Sequence, residues 1–159
     1  LPVFLDTLGT ILTAAILGPW WGALTGGLTN VIMSLANPMD MWFAIVNMLV
    51  GVVVGIASMR FGFTKLPVVL IVGLILAVVA PAIGSLIAAY VYGGLTGGGI
   101  DVFVGGLMAA GADVFTAAFI PRLGSNLIDK VLSVVVVMLI IRALPRALAG
   151  FAARRWTTA

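Results

Sequence analysis

The sequence predicts an all-α integral membrane protein, a compact bundle of five visible transmembrane helices with a long, partly helical external loop. Three observations predict it: 63% of the 159 residues are hydrophobic, only 8% are charged, and long apolar runs recur along the chain. Soluble domains carry roughly a quarter charged residues. A bilayer crossing takes about 17 to 25 apolar residues, and a single anchor or a cleaved signal peptide does not explain several such runs. Residues 1–159 read as one membrane domain.

The five spans are Val3 to Leu17, Trp20 to Ala36, Met41 to Met59, Leu66 to Tyr92 and Asn126 to Leu144. Turn-forming punctuation separates them: Gly18-Pro19, then Asn37-Pro38-Met39-Asp40, then Arg60 to Lys65. The stretch Gly98 to Ile120, "GGIDVFVGGLMAAGADVFTAAFI", is long enough to cross but carries Asp101, Asp113 and several glycines. Charge decides its place. Arg60 and Lys65 mark one connection as cytoplasmic, and Arg142, Arg146, Arg154 and Arg155 mark the C-terminus the same way. Both agree only if that stretch stays outside, so residues 94–125 are expected to form an external loop folded against the bundle. Counting back through five crossings puts Leu1 outside. The chain opens on Leu-Pro without an initiator methionine, so an upstream helix giving six crossings is expected.

Composition excludes several kinds of chemistry. Without cysteine or histidine, the chain lacks thiolate chemistry, the usual zinc ligands and the usual general base near neutral pH. The net charge of +3 comes mainly from basic clusters beside apolar runs, where it serves topology and not nucleic-acid binding. "GGLTGGG", Gly93 to Gly99, is not followed by the Gly-Lys-Ser/Thr of a phosphate loop and reads as a connector. No nucleophile elbow and no His-Glu-x-x-His occurs. Neither enzyme activity nor a cofactor is expected. Nor is there an ATP-binding module, so energy for moving a solute would come from partners.

Small residues recur at four-residue spacing: Thr10, Ala14 and Gly18; Gly22, Gly26, Asn30 and Ser34; Asn47, Gly51 and Gly55; Gly73, Ala77, Pro81 and Ser85. Such stripes let helix backbones approach closely. Asn30 and Asn47 differ, because an amide in hydrocarbon demands partners, either from a neighbouring helix or from a bound polar molecule.

On this topology Asp6, Asn37, Asp40, Asp101, Asn126, Asp129 and Lys130 fall at the outer face, together with Trp42, Tyr90 and Tyr92. In the last span Asn126, Lys130 and Ser133 follow i, i+4, i+7 spacing with Asp129 beside them, so one face stays polar for two turns. Two readings fit. Lys130 pairs with Asp6 or Asp101 and locks the bundle, or the group forms a site for a small polar molecule with aromatic walls.

"LPVFLDTLGTILTAAILGPWWGALTGGLTNVI", followed by "NP", resembles the substrate-binding S component of energy-coupling factor (ECF) transporters, the vitamin uptake systems. Gly18 to Leu24 carry much of the likeness, and "VYGGLTGGGIDVFV" and "SNLIDKVLSVVVVMLI" extend it over most of the chain. The resemblance implies six helices, cytoplasmic termini in a prokaryotic plasma membrane, and an outer pocket for a vitamin or related molecule. It also implies a transmembrane coupling subunit and two ATP-hydrolysing subunits, with toppling of the S component to release substrate inside. For the pocket it points to Asp6, Asn47, Asp101, Asn126 and Lys130; riboflavin-type members are similar in carrying an Asn and a Lys near the start of the last helix. The family's first helix normally carries an Ala-x-x-x-Ala-like contact for the coupling subunit, and the resemblance implies that this chain is expected to start after that helix. Thr10, Ala14 and Gly18 are the remaining candidates for that contact. Two alternatives are a small polytopic scaffold subunit and a proton-coupled carrier using Asp6 or Asp101.

Overall fold

The computed structural model describes residues 7–144. They form six helices: α1 (Leu8–Leu17), α2 (Pro19–Met33), α3 (Asp40–Phe61), α4 (Leu66–Tyr92), α5 (Asp101–Ala109) and α6 (Val114–Ala143). At 1.5 Å per residue, α3, α4 and α6 are ~33, ~40 and ~45 Å long, so each matches or exceeds a hydrocarbon core of about 30 Å. These three are long and apolar enough to cross a membrane; α1 is a shorter apolar helix.

Proline and glycine set the boundaries. Pro19 occupies the first turn of α2 and Pro67 that of α4, where their missing N–H groups cost nothing. Gly93 ends α4 in the left-handed conformation, φ 66°, which a Cβ would disfavour. The structure departs from the sequence reading at the last helix, which begins at Val114 and not at Asn126. Asp113 caps it by accepting a hydrogen bond from the Thr116 N–H at 3.0 Å, and the helix runs on through Pro121. A proline removes one backbone bond; in so long a helix the remaining bonds and the packing on α4 outweigh it.

The Asp113 cap has a pH signature. Its hydrogen bonds with Thr116 hold the carboxyl below its ordinary value. A depressed pKa adds stability above the unfolded-state value, near 4, and loses it as pH falls through the folded-state value. Asp113→Ala is therefore expected to lower the thermal midpoint at pH 7 and to differ less from the parent near pH 3. A gap that widens in acid would contradict this.

The core lies where α1, α3, α4 and α6 meet, with Ile11, Val50, Val54, Val69, Leu76, Val134 and Val137 among its buried side chains. Helices α2 and α3 touch through backbone: a Cβ on Gly26 would lie 2.5 Å from the Asn47 carbonyl oxygen, and one on Gly51 would lie 2.6 Å from the Ala23 nitrogen. Trp20, Leu35, Val102 and many aliphatic residues remain exposed. Apolar surface on this scale is what a lipid-facing bundle presents. At one end Arg142 donates to the Thr64 carbonyl, from Nε at 3.1 Å and Nη2 at 2.5 Å, so the end of α6 sits on the α3–α4 turn that carries Arg60 and Lys65.

Candidate functional site

The opposite end of the bundle holds a cavity of about 310 Å³, lined by the first halves of α3 and α6, the middle of α4, and the connections before α3 and after α4. Its apolar wall comprises Phe43, Val46, Val50, Ala80, Pro81 and Gly84. Phe43 stacks on Tyr92, ring centroids 6.4 Å apart, and the Tyr92 hydroxyl donates to the Met39 carbonyl at 3.0 Å. That aromatic pair holds the α2–α3 connection against α4.

A belt of hydrogen bonds forms the polar wall. Asn30 Nδ2 donates to the Asp40 carbonyl at 3.1 Å, and Asn47 Nδ2 donates to Asn30 Oδ1 at 2.9 Å. Asn37 Nδ2 donates to the Thr96 carbonyl at 3.1 Å and, at 3.4 Å, to Asp40. The Thr96 hydroxyl accepts from Arg122 Nη2 at 3.0 Å, while Arg122 Nη1 donates to the Ala118 carbonyl at 3.0 Å. Deeper in the cavity Lys130 Nζ lies 2.6 Å from Asp129 Oδ2 and donates to the Thr7 hydroxyl at 3.1 Å. Asn126 Nδ2 returns to the Arg122 carbonyl at 2.8 Å.

The sequence candidates divide accordingly. Asn30, Asn37, Asp40, Asn47, Asn126, Asp129 and Lys130 line the cavity. Trp42 and Tyr90 do not: Tyr90 is 81% exposed and Trp42 about half exposed, both on outward faces of their helices. Asp101 does not line it either. Its carboxylate accepts from the Thr96 and Gly97 N–H groups at 2.8 and 2.7 Å, pinning the glycine-rich connection over the cavity; Gly97 takes φ 75° there. The pairing of Lys130 with Asp101 is thus replaced by pairing with Asp129, its sequence neighbour. Asp6 lies outside the described residues. Thr10, Ala14 and Gly18 are buried, and Ala14 packs on Gly22, so this stripe joins α1 to α2 and offers no face to a partner. Ser133 is fully buried below the cavity.

Arg122 is the main residue that sequence reasoning missed. The sequence reading starts the last span at Asn126 and so leaves out this basic residue, one turn earlier on the same helix face. Extending the Asn126, Lys130 and Ser133 spacing back by four residues would have found it. Among the described residues no cluster of three His, Cys, Asp or Glu side chains suits a metal ion.

Apolar helices of bilayer length around a cavity of small-molecule size, polar on one wall, fit a membrane protein with a small-molecule site. The family model described as "ECF transporter, substrate-specific component" matches residues 2–141, and the chain belongs to that family. It is thus a membrane subunit that specifies a small-molecule substrate for an ECF transporter module. Comparison with curated proteins and with solved structures returned no match.

Proposed function

We propose that the chain captures a vitamin-like small molecule from outside the cell at this cavity. It then delivers the molecule to the cytoplasm together with a transmembrane coupling subunit and two ATP-hydrolysing subunits. The observation that carries the reading is the cavity itself: of small-molecule size, polar on one wall, apolar on the other, and placed away from the basic end. Arg60, Lys65 and Arg142 gather at the far end, which the positive-inside tendency assigns to the cytoplasm along with the C-terminus. The cavity mouth then faces out, in a prokaryotic plasma membrane.

Asn30 and Asn47 line this cavity and are held by one hydrogen-bond chain, which sets the polar wall a solute would meet. Protein purified in detergent is expected to release a small molecule identifiable by mass spectrometry. Asn47→Leu and Asn126→Ala are each expected to weaken its binding about three- to tenfold or more, the worth of a hydrogen bond at roughly 0.5–1.5 kcal/mol. Saturating compound at 100 times its Kd should raise the unfolding free energy by about 2.7 kcal/mol. Wild-type affinity in both variants, with no thermal shift from any bound compound, would sink the assignment.

A further inference from the structure

Resting on that reading of the cavity as a solute site, we propose that the substrate is a monocarboxylic acid whose carboxylate is received by Arg122.

Arg122 sets the chemical demand. It is 7% exposed, lines the cavity, and spends one N–H on the Ala118 carbonyl and one on the Thr96 hydroxyl. A guanidinium carries five donors and can never accept. Among the described residues no carboxylate lies within ion-pair distance of Arg122: Asp101 spends its oxygens on the Thr96 and Gly97 amides and the Thr96 hydroxyl. A buried cation without a direct counter-ion is costly, and a planar carboxylate matches its fork geometry.

The charges limit the anion to one. Lys130 is committed to Asp129 at 2.6 Å, and Asp40, half-buried in the first turn of α3, adds a further negative charge at the rim. A dianionic phosphate would need a second uncommitted cation that the wall does not supply. Asn37 and Thr96 join Asp40 to Arg122 in one hydrogen-bonded belt. Phe43, Val50 and Pro81 supply an apolar wall for the body of the acid.

The test incubates the full chain, purified in detergent, with the small-molecule fraction of yeast extract. The compound released after washing is analysed before and after methyl esterification, and that acid and its methyl ester are then titrated into wild type and Arg122→Gln. The compound is expected to take up one methyl group, and wild type to prefer the acid over the ester by about tenfold or more, in line with charge-assisted hydrogen bonding. Arg122→Gln should bind the two alike. A merely structural Arg122 would lower affinity for both without removing the preference. A released compound that takes no methyl group, or an acid preference retained in Arg122→Gln, overturns the proposal while leaving solute capture intact. If nothing is released from wild type, capture itself fails. Should Arg122→Gln not fold, the wild-type preference decides, and equal binding of acid and ester overturns the proposal.

Discussion

Gly51→Val is expected to leave no folded protein in detergent, and Gly51→Ala to lower the unfolding midpoint sharply. A Cβ at this position would meet the backbone of α2 and not a side chain: the Gly22 oxygen at 2.5 Å and the Ala23 nitrogen at 2.6 Å. Overpacking in a core typically costs about 1–3 kcal/mol because side chains give way, but here two helix backbones would have to separate along the whole seam. The cost of even one methyl should therefore lie at or above that upper figure. Gly105→Ala in α5 is the control, since its Cβ would meet nothing within 4 Å; alanine there should be neutral or slightly stabilising through helix propensity. Size-exclusion profile and thermal midpoint read both. A Gly51→Ala protein as stable as the parent would mean that the two helices do not touch as described.

The same seam ties packing to the site. The nearest atoms to a Cβ on Gly26 are the carbonyl oxygen and carbon of Asn47, at 2.5 and 2.7 Å. Gly26→Ala would push on the residue whose amide ends the hydrogen-bond belt. Its effect on solute binding is expected to exceed that of Ala14→Leu, which crowds α1 against α2 at Gly22 instead.

Composition and punctuation made much of this legible. The helix breaks at Gly18-Pro19, Asn37-Pro38 and Arg60 to Lys65 stand where turn chemistry puts them, because glycine and proline act locally and need no tertiary context. The glycine stripes of the second and third spans are the α2–α3 seam, since i, i+4 spacing dictates a face whatever that face meets. The failures came where tertiary contacts overrule local signals. The sequence reading starts the last span at Asn126, yet α6 begins at Val114 and runs through Pro121 and Gly124, because Asp113 caps it early and α4 packs along it. Asp101 looked like a cavity acid because the loop path was unknown, and its real partners, the Thr96 and Gly97 amides, are set by positive-φ glycines. Trp42 and Tyr90 lie outside the cavity lining, on outward faces of their helices, since facing follows from helix rotation, which a nearly uniform apolar pattern does not encode.

Removing the Lys130 amine alone should destabilise the ligand-free protein by about 3–5 kcal/mol, the usual cost of leaving one member of a buried ion pair behind. Lys130 and Asp129 are 5% and 3% exposed and meet at 2.6 Å, so Lys130→Met would take this cation from a carboxylate held away from bulk water. The loss also cuts the bond from Lys130 to Thr7, which joins the beginning of α1 to the middle of α6 across 123 residues of chain. Asp129→Asn with Lys130→Met removes both charges and should recover most of the midpoint lost by the single variant, because a neutral pair in that pocket no longer carries the desolvation penalty. The cycle separates two roles. If the pair is structural, ligand-free stability follows it and the double variant still binds solute; if Lys130 acts only on the solute, Lys130→Met leaves the ligand-free midpoint unchanged and both variants lose binding equally. The burial and the two short contacts favour a structural pair that shapes the cavity floor, leaving Arg122 as the cation available to the solute.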